Sequence, residues 1–426
     1  MITRVRLAAA LAALALLAVA PAARADAVDD FQGSWADRAL DQQFDLAGDV
    51  PLRNVPWVGT HNSFNSVAEM GQTVSTYDPN QLLDLTDQLR LDIRALELDI
   101  HWFMSPHTPG FRAPVVCHAR GGSEGHAGCS NEKLIGPVLG EIARWLRRPQ
   151  NRDQVLLLYL EDHLDTVEGY DTAAAAVENE LGGLLYRPPG GGGCTELPYE
   201  LTRNEILATG AQAIAVSDCG LGTAWPAAVF RWDEHEEDRP QGYLGFPSCG
   251  PDYTRGDYNS KLIRYYEDRT QLTNAFPDRR DDGLTPATVA SMTRCGVDLL
   301  GMDKLLAGDG RLRAAVWSWA RRQPAGRSRC AIQRGTAKPK SARWFTRPCG
   351  RRLRVACRKG AGWVIGGVRR ALRGRLACRR KGARYSVPRT GFEAQRLRLA
   401  MKRAGVGAVW LGYRRGPGGW SALDAR

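Results

Sequence analysis

The stretch Ile93-Arg94-Ala95-Leu96-Glu97-Leu98-Asp99-Ile100-His101 is a short apolar run that ends on ionisable residues. Runs of this length read as buried strands. Glu97 and Asp99 are two residues apart, so on a strand both point to the same face. Three further runs repeat the pattern. Val55–Val58 ends in Gly59-Thr60-His61-Asn62-Ser63, Ala113–Cys117 ends in His118, and Val155–Leu160 ends in Glu161-Asp162-His163. One charged group at a strand end is ordinary. Four in succession predict strands that direct their C-terminal ends at one site. The expected class is α/β, a TIM-type (β/α)8 barrel, regular or distorted, with a basic Cys-containing C-terminal region.

Helical stretches separate the runs. Pro79–Leu91 carries Leu82, Leu83, Leu85 and Leu89, and Lys133–Arg147 places Leu134, Val138, Leu139, Ile142, Trp145 and Leu146 on a helical period. Asp171–Leu185 is Ala-rich and helical. Strand and helix in alternation imply a parallel sheet. Further on, Gln212–Ser217, Ala228–Trp232, Val297–Met302 and Ala314–Trp319 read as strands. Residues 234 to 283 read as a long connection. No regular repeat or low-complexity tract interrupts the chain.

The 426 residues allow one large domain and a smaller one. Residues 1–25 read as a signal peptide. Arg4 and Arg6 precede the apolar run Leu7–Ala20, and Ala23-Arg24-Ala25 fits a cleavage site. No later stretch is long and apolar enough to span a bilayer. The expected mature protein is secreted. Ten cysteines in an exported chain, with no C-x-x-C pair, point to disulfides rather than zinc thiolates. Cys117 and Cys129 flank a Gly-rich loop that a bridge would clip.

Charge divides the chain. Residues 311–426 hold 32 Lys and Arg against two acids, Glu393 and Asp424. Residues 1–310 hold 26 basic and 44 acidic residues. A boundary is expected at Gln323-Pro324-Ala325-Gly326, which separates a barrel over 26–322 from the basic region 323–426.

Two carboxylates on one strand face repel unless a proton or a cation lies between them. With Glu161 and the Asn62 carbonyl they form an all-oxygen set suited to Ca²⁺. The alternative is an ion-pair network with a barrel arginine such as Arg94. His61 and His118 have side chains suited to proton transfer near neutral pH. His101, His107, His126, His163 and His235 read as loop or supporting groups.

The motifs Gly59–Ser63, Arg94–Asp99, Val116-Cys117-His118 and Leu158–His163, in that order, resemble the catalytic barrel of phosphatidylinositol-specific phospholipase C. Asp99 stands where metal-independent bacterial members carry an arginine, so the chain resembles the calcium-dependent branch. The resemblance implies Asn62, Glu97, Asp99 and Glu161 as Ca²⁺ ligands. It implies His61 as a hydrogen-bond donor to the phosphoryl oxygens and His118 as the general acid. A ligand carboxylate, Glu97 or Glu161, would be the base. The implied reaction is attack by a neighbouring hydroxyl through a cyclic phosphate. Lys304 and Arg231 are the candidates for binding the substrate head group. The triplet Trp102-Phe103-Met104 either enters a bilayer or packs on the barrel rim.

Two other readings compete. His118-Ala119-Arg120-Gly121-Gly122 resembles the start of the glycerophosphodiesterases, although there the motif precedes the Glu-x-Asp pair and here it follows. A non-catalytic barrel that binds lipid or glycan is the third. In the basic region, Cys330-Ala331, Trp344, Cys349 and Ala356-Cys357-Arg358 faintly resemble the close of a C-type-lectin-like domain. A region of this charge is attracted to an anionic membrane surface. No nucleic-acid motif accompanies it, so specific nucleic-acid recognition is not expected.

Overall fold

The structure, a computed structural model, describes residues 27–68, 79–118, 129, 133–189, 193–232, 234–236, 245, 249, 263–268, 283–335 and 343–424. The signal-peptide reading and His126 lie outside the described residues.

The described residues between 57 and 302 supply one ten-stranded sheet. Its strands are β1 (Trp57–Thr60), β2 (Ala95–Met104), β3 (Arg112–Val116), β4 (Leu156–His163) and β5 (Leu185–Tyr186). They continue as β6 (Ala213–Ser217), β7 (Phe230–Arg231), β8 (Glu234–Glu236), β9 (Ile263–Glu267) and β10 (Leu299–Met302). The parallel order is β5-β6-β4-β2-β1-β10-β9-β8, with β7 also on β6. This is a distorted TIM-type barrel. Among the described residues no ladder joins β7 to β8, so the wall is open there.

Alternation along the strands builds two apolar layers. Trp57, Ala95, Leu157, Ile214, Val216, Phe230, Ile263 and Leu299 fill the barrel interior. Leu96, Leu98, Leu158 and Leu160 face outward, under the helices Ile135–Leu146 and Val167–Leu181. Thr166 caps the second of these by accepting from Gly169 N–H at 3.1 Å.

The run Ala113–Cys117 is not a barrel stave. It forms the end of β3, which lies antiparallel on β2 with Ile100 opposite Val116. β2 is ten residues long, and its first part pairs with β4 while its last part rises beyond the wall as a hairpin. β3 therefore returns toward the barrel mouth, and Cys117 N–H reaches Asp99 O at 3.3 Å. At the hairpin tip Trp102 is buried, whereas Met104 is 46% and Phe111 66% exposed.

The connection read over 234–283 contains β8 and β9. Arg264 hid the strand character of β9. It is buried, and its guanidinium donates to Cys295 O at 3.1 Å and Cys249 O at 3.2 Å. Ala314–Trp319 is no strand either. The helix Gly310–Ala315 ends there, and only Trp319 makes a bridge, to Trp344.

A second sheet comprises β11 (Cys330–Arg334), β12 (Trp344–Arg347), β13 (Arg352–Lys359), β14 (Gly362–Ile365) and β15 (Arg369–Arg370). β16 (Arg384–Tyr385), β17 (Ala408–Gly416) and β18 (Gly419–Ala422) complete it. Trp319 meets Trp344 at 5.7 Å and Trp420 at 4.9 Å, so one aromatic cluster joins this sheet to the end of the barrel segment. All ten cysteines pair: Cys117–Cys129, Cys194–Cys219, Cys249–Cys295, Cys330–Cys349 and Cys357–Cys378. Among the described residues no helix is long and apolar enough to cross a membrane.

Candidate active site

β1 delivers the first polar group. Beyond Thr60 the chain turns with Asn62 at a φ of 43°, a left-handed conformation that Asn tolerates better than most residues. The turn is held from below by Gln88, which is fully buried. Gln88 accepts from Thr60 Oγ1 at 2.7 Å and donates to Ser63 O and Leu83 O, each at 2.8 Å. Ser63 Oγ accepts from Glu97 N–H at 3.0 Å, which ties the turn to β2.

β2 and β4 deliver the carboxylates. Their register sets Asp99 beside Glu161. Oxygens of Glu97, Asp99 and Glu161 lie within 4.8 Å of one another. Asn62 N–H donates to Glu97 Oε2 at 3.3 Å. One atom of the Asn62 amide lies 2.6 and 2.7 Å from the two Asp99 oxygens, and the other 2.9 Å from His61 Nε2. With nitrogen toward Asp99 the amide donates to both oxygens and accepts from His61. With oxygen toward Asp99 the contact is repulsive unless a cation joins it. Only in the second orientation does Asn62 turn an oxygen toward the carboxylates.

Burial and then the neighbouring charge of Glu267 hold the Glu97 pKa well above the usual carboxylate range. Burial and then Glu161 do the same for Asp99. Burial also works on Glu161, but the hydrogen bond and charge of His163, with His61 and His118, outweigh it and hold its pKa below the usual value. The His163 Nε2 to Glu161 Oε1 distance is 3.2 Å, and the His163 ring stacks at 4.4 Å on buried His101. Arg94 takes no part in this cluster. Its guanidinium donates to Leu89 O, Ile93 O and Gln154 below the site, so the ion-pair alternative is not realised through it.

His61 lies beside Glu97, and His118 lies within electrostatic reach of Glu161. His61 Nδ1 lies 3.1 Å from Asp303 Oδ1, and the Asp303 side chain is fully buried. Burial disfavours the His61 imidazolium, but Asp303, Glu97 and Glu267 outweigh it and raise its pKa well above the ordinary value. His118 arrives from β3. Asn65 Nδ2 donates to His118 Nδ1 at 3.1 Å and to Asn80 Oδ1 at 2.6 Å. With Nδ1 accepting, the proton of neutral His118 sits on Nε2. Asn80 Nδ2 in turn donates to Asp303 Oδ2 at 3.3 Å, so one amide chain links the surroundings of both histidines.

Sequence reasoning passed over Asp303, Glu267, Asn65, Asn80 and Gln88. The same signal was present for the first two. Val297–Met302 ends in Asp303, and Ile263–Tyr266 ends in Glu267-Asp268. Glu267 lies within 4.8 Å of both His61 and Glu97. Gly301 permits this approach, because a Cβ there would meet Glu267 Cγ at 3.1 Å and His61 Cβ at 3.5 Å. Lys304 follows Asp303 at the mouth, half-buried, with its N–H donating to Asn80 O at 2.6 Å. Arg231 is not brought to the site. Phe230 and Trp232 point inward, so strand alternation turns Arg231 out to solvent. Under the carboxylates, Trp232 packs on Tyr159 at 5.0 Å and on Tyr265 at 6.1 Å, giving the site a dry aromatic floor.

A distorted parallel barrel with carboxylates and two histidines at the C-terminal ends of its strands is the frame of a PI-PLC-like domain. The chain belongs to that family: the model described as the Rv2075c PI-PLC-like domain matches residues 16–309. One relative is the uncharacterized protein Rv2075c of Mycobacterium tuberculosis (strain ATCC 25618 / H37Rv). It is 40% identical over 405 residues, which are 90% of this chain and 81% of that one. Similar solved structures include the phosphatidylinositol-specific phospholipase C of Listeria monocytogenes, at 14% identity and a TM-score of 0.40. Another is the calcium-dependent phosphoinositol-specific phospholipase C of a Pseudomonas species, at 12% identity and a TM-score of 0.35. Each match covers 63% of this chain and 95% of the other.

Proposed function

We propose that this protein is a secreted, Ca²⁺-dependent phosphoric diester hydrolase that cleaves phosphoinositide-type lipids. The observation that carries the reading is the cluster of buried Glu97 and Asp99 with half-buried Glu161, with Asn62 against Asp99, His61 beside Glu97 and His118 within electrostatic reach of Glu161. Buried carboxylates this close are each other's electrostatic burden, and a hard cation relieves it. Asn62, Glu97, Asp99 and Glu161 would hold the ion, which when bound would lower the pKa of a substrate hydroxyl and offset charge on phosphorus.

The chain's own residues supply the remaining steps. A site carboxylate, Glu97 or Glu161, accepts the proton of the hydroxyl next to the phosphodiester. The freed oxygen bonds to phosphorus and closes a cyclic phosphate. His61, kept cationic by Asp303, donates to a non-bridging oxygen as charge builds there. The bond from phosphorus to the lipid oxygen breaks, and His118, entering this step as the imidazolium, gives its Nε2 proton to the departing alkoxide and is left neutral. Water opens the ring by the same roles in reverse.

Five disulfides fit an oxidising compartment and support secretion. The excess of basic residues after position 310, and exposed Met104 and Phe111 on the hairpin, support an encounter with an anionic bilayer.

The test is head-group release from a panel of phospholipid vesicles, with and without Ca²⁺. Release from phosphatidylinositol that stops with chelator and returns with Ca²⁺ is expected, and His118→Ala should lose most of it. Equal release with chelator overturns the metal assignment. Cleavage of glycerophosphoinositol in preference to intact lipid favours the glycerophosphodiesterase reading. Vesicle binding without release favours the non-catalytic one.

A further inference from the structure

In the C-terminal sheet, residues 368–380 run Val-Arg-Arg-Ala-Leu-Arg-Gly-Arg-Leu-Ala-Cys-Arg-Arg. They form β15, a single 3-10 turn over Ala371–Arg373 and the short helix Gly374–Arg379. The inner face of this segment is filled. Ala371, Gly374, Ala377 and Cys378 are buried, and Cys378 is tied to Cys357 on β13. At Gly374 a Cβ would lie 2.6 Å from the Tyr385 ring, so the segment sits as close to the sheet as a backbone can.

The outer face is therefore fixed. Leu372 and Leu376 are four residues apart and point away from the buried side, 55% and 45% exposed. Val368 is 40% exposed at the entry to the same segment. These three are a third of the nine large apolar side chains exposed among the described residues. Arg370, Arg373, Arg375, Arg379 and Arg380 surround them, all exposed.

Among the described residues no ion pair joins an acid to these arginines. Of the two acidic residues after position 310, Glu393 is paired with Arg358 at 2.8 Å and Asp424 lies with Arg389. Arg379 also reaches the rim of an adjoining basin of about 280 Å³, lined by Arg358, Lys359 and Arg384. Leu372 and Leu376 are the two most exposed large apolar side chains among the described residues of the basic region. Apolar tips within a ring of arginines match the boundary between lipid headgroups and acyl chains.

The geometry points to this face as the docking surface for an anionic phospholipid bilayer. Leu372 and Leu376 enter the interface while the arginines and the basin meet headgroup phosphates. This deepens the membrane encounter proposed above and is independent of the phosphoryl chemistry at the barrel mouth.

The experiment is co-sedimentation of the full mature chain with sucrose-loaded vesicles, in chelator so that no lipid is cleaved. Phosphatidylcholine vesicles are compared with vesicles that also carry phosphatidylglycerol. Binding to the anionic vesicles alone, weakening as salt rises, is expected. Leu372→Ser with Leu376→Ser should weaken partitioning about tenfold. Arg373→Glu with Arg379→Glu should weaken it about a hundredfold. Thermal melts of both variants should match the parent, since all four side chains are exposed. Sedimentation of the leucine variant equal to the parent overturns the proposal, as does wild-type binding to duplex DNA without binding to anionic vesicles. Failure of the hydrolase reading would show separately, as no release from vesicles that the protein does bind.

Discussion

The proton chemistry proposed for this site depends on Asp303. It is fully buried, faces His61 Nδ1 at 3.1 Å and accepts from Asn80. Without its charge His61 would lose the partner that favours the imidazolium and fixes the ring. Asp303→Asn should keep the geometry and lower kcat by about a hundredfold, with KM little changed, in steady-state assays of head-group release. Asp268, beneath it, is the second informative residue. It accepts from Asp303 N–H at 2.9 Å and from Arg311 at 2.8 Å. Burial nevertheless pushes its pKa up to about 6. The folded state thus holds a proton that the unfolded chain has already released above its ordinary value near 3.8. Stability should fall as pH rises between those two values, by a few kcal/mol at most (~1.4 kcal/mol per unit). Denaturant midpoints across that window should show the fall, and Asp268→Asn should flatten it.

At the level of elements, the site depends on how the β1 turn and the β2–β3 hairpin are held. Gln88 links the helix Leu85–Arg90 to Thr60, Ser63 and Leu83 through three buried hydrogen bonds. Gln88→Ala removes the donor to Ser63 O and Leu83 O and leaves Thr60 Oγ1 only its contact with Ser63 Oγ at 2.8 Å, which should cost about 2–4 kcal/mol in urea unfolding. It should also reduce activity, because the same turn carries His61 and Asn62. The hairpin explains how His118 reaches the carboxylates. An apolar run that ends in a histidine looked like another parallel stave, yet it is the returning arm of an overlong β2. The pattern of apolar residues is the same in both cases, so strand direction was not legible in it. The strand β9 was illegible for the opposite reason. Arg264 breaks its apolar run, and its burial makes sense only when Cys249 and Cys295 come to it from elsewhere in the chain.

Across the whole molecule, the barrel segment and the basic sheet share an apolar core. Trp317, Trp319, Trp344, Tyr413 and Trp420 interlock. Gln43 binds the same junction, accepting from Trp317 N–H at 2.8 Å and from Ser318 N–H at 3.0 Å. Trp319 is fully buried, so Trp319→Ala should cost about 3–5 kcal/mol. Calorimetry should then show a lowered melting temperature. Removing residues 323–426 would uncover Trp317 and Trp319 on the barrel, and the shortened chain is expected to aggregate in size-exclusion chromatography. A compact, monodisperse barrel from that truncation would mean the two parts are energetically separate.

Residue order by itself placed the candidate site groups at three strand ends. Two-residue alternation is a local property, so Glu97 and Asp99 had to share a face wherever that strand lay. The expectation of an oxygen-ligand cation site rests on that shared face. Tertiary structure alone decided which distant groups complete the site. Asp303 meets His61 across 242 positions of sequence, and Glu267 reaches Glu97 from a strand masked by a buried arginine. It also turned Arg231 outward and brought His118 back along a hairpin. Such pairings depend on barrel closure and strand register, which are long-range properties that no local pattern of side chains encodes.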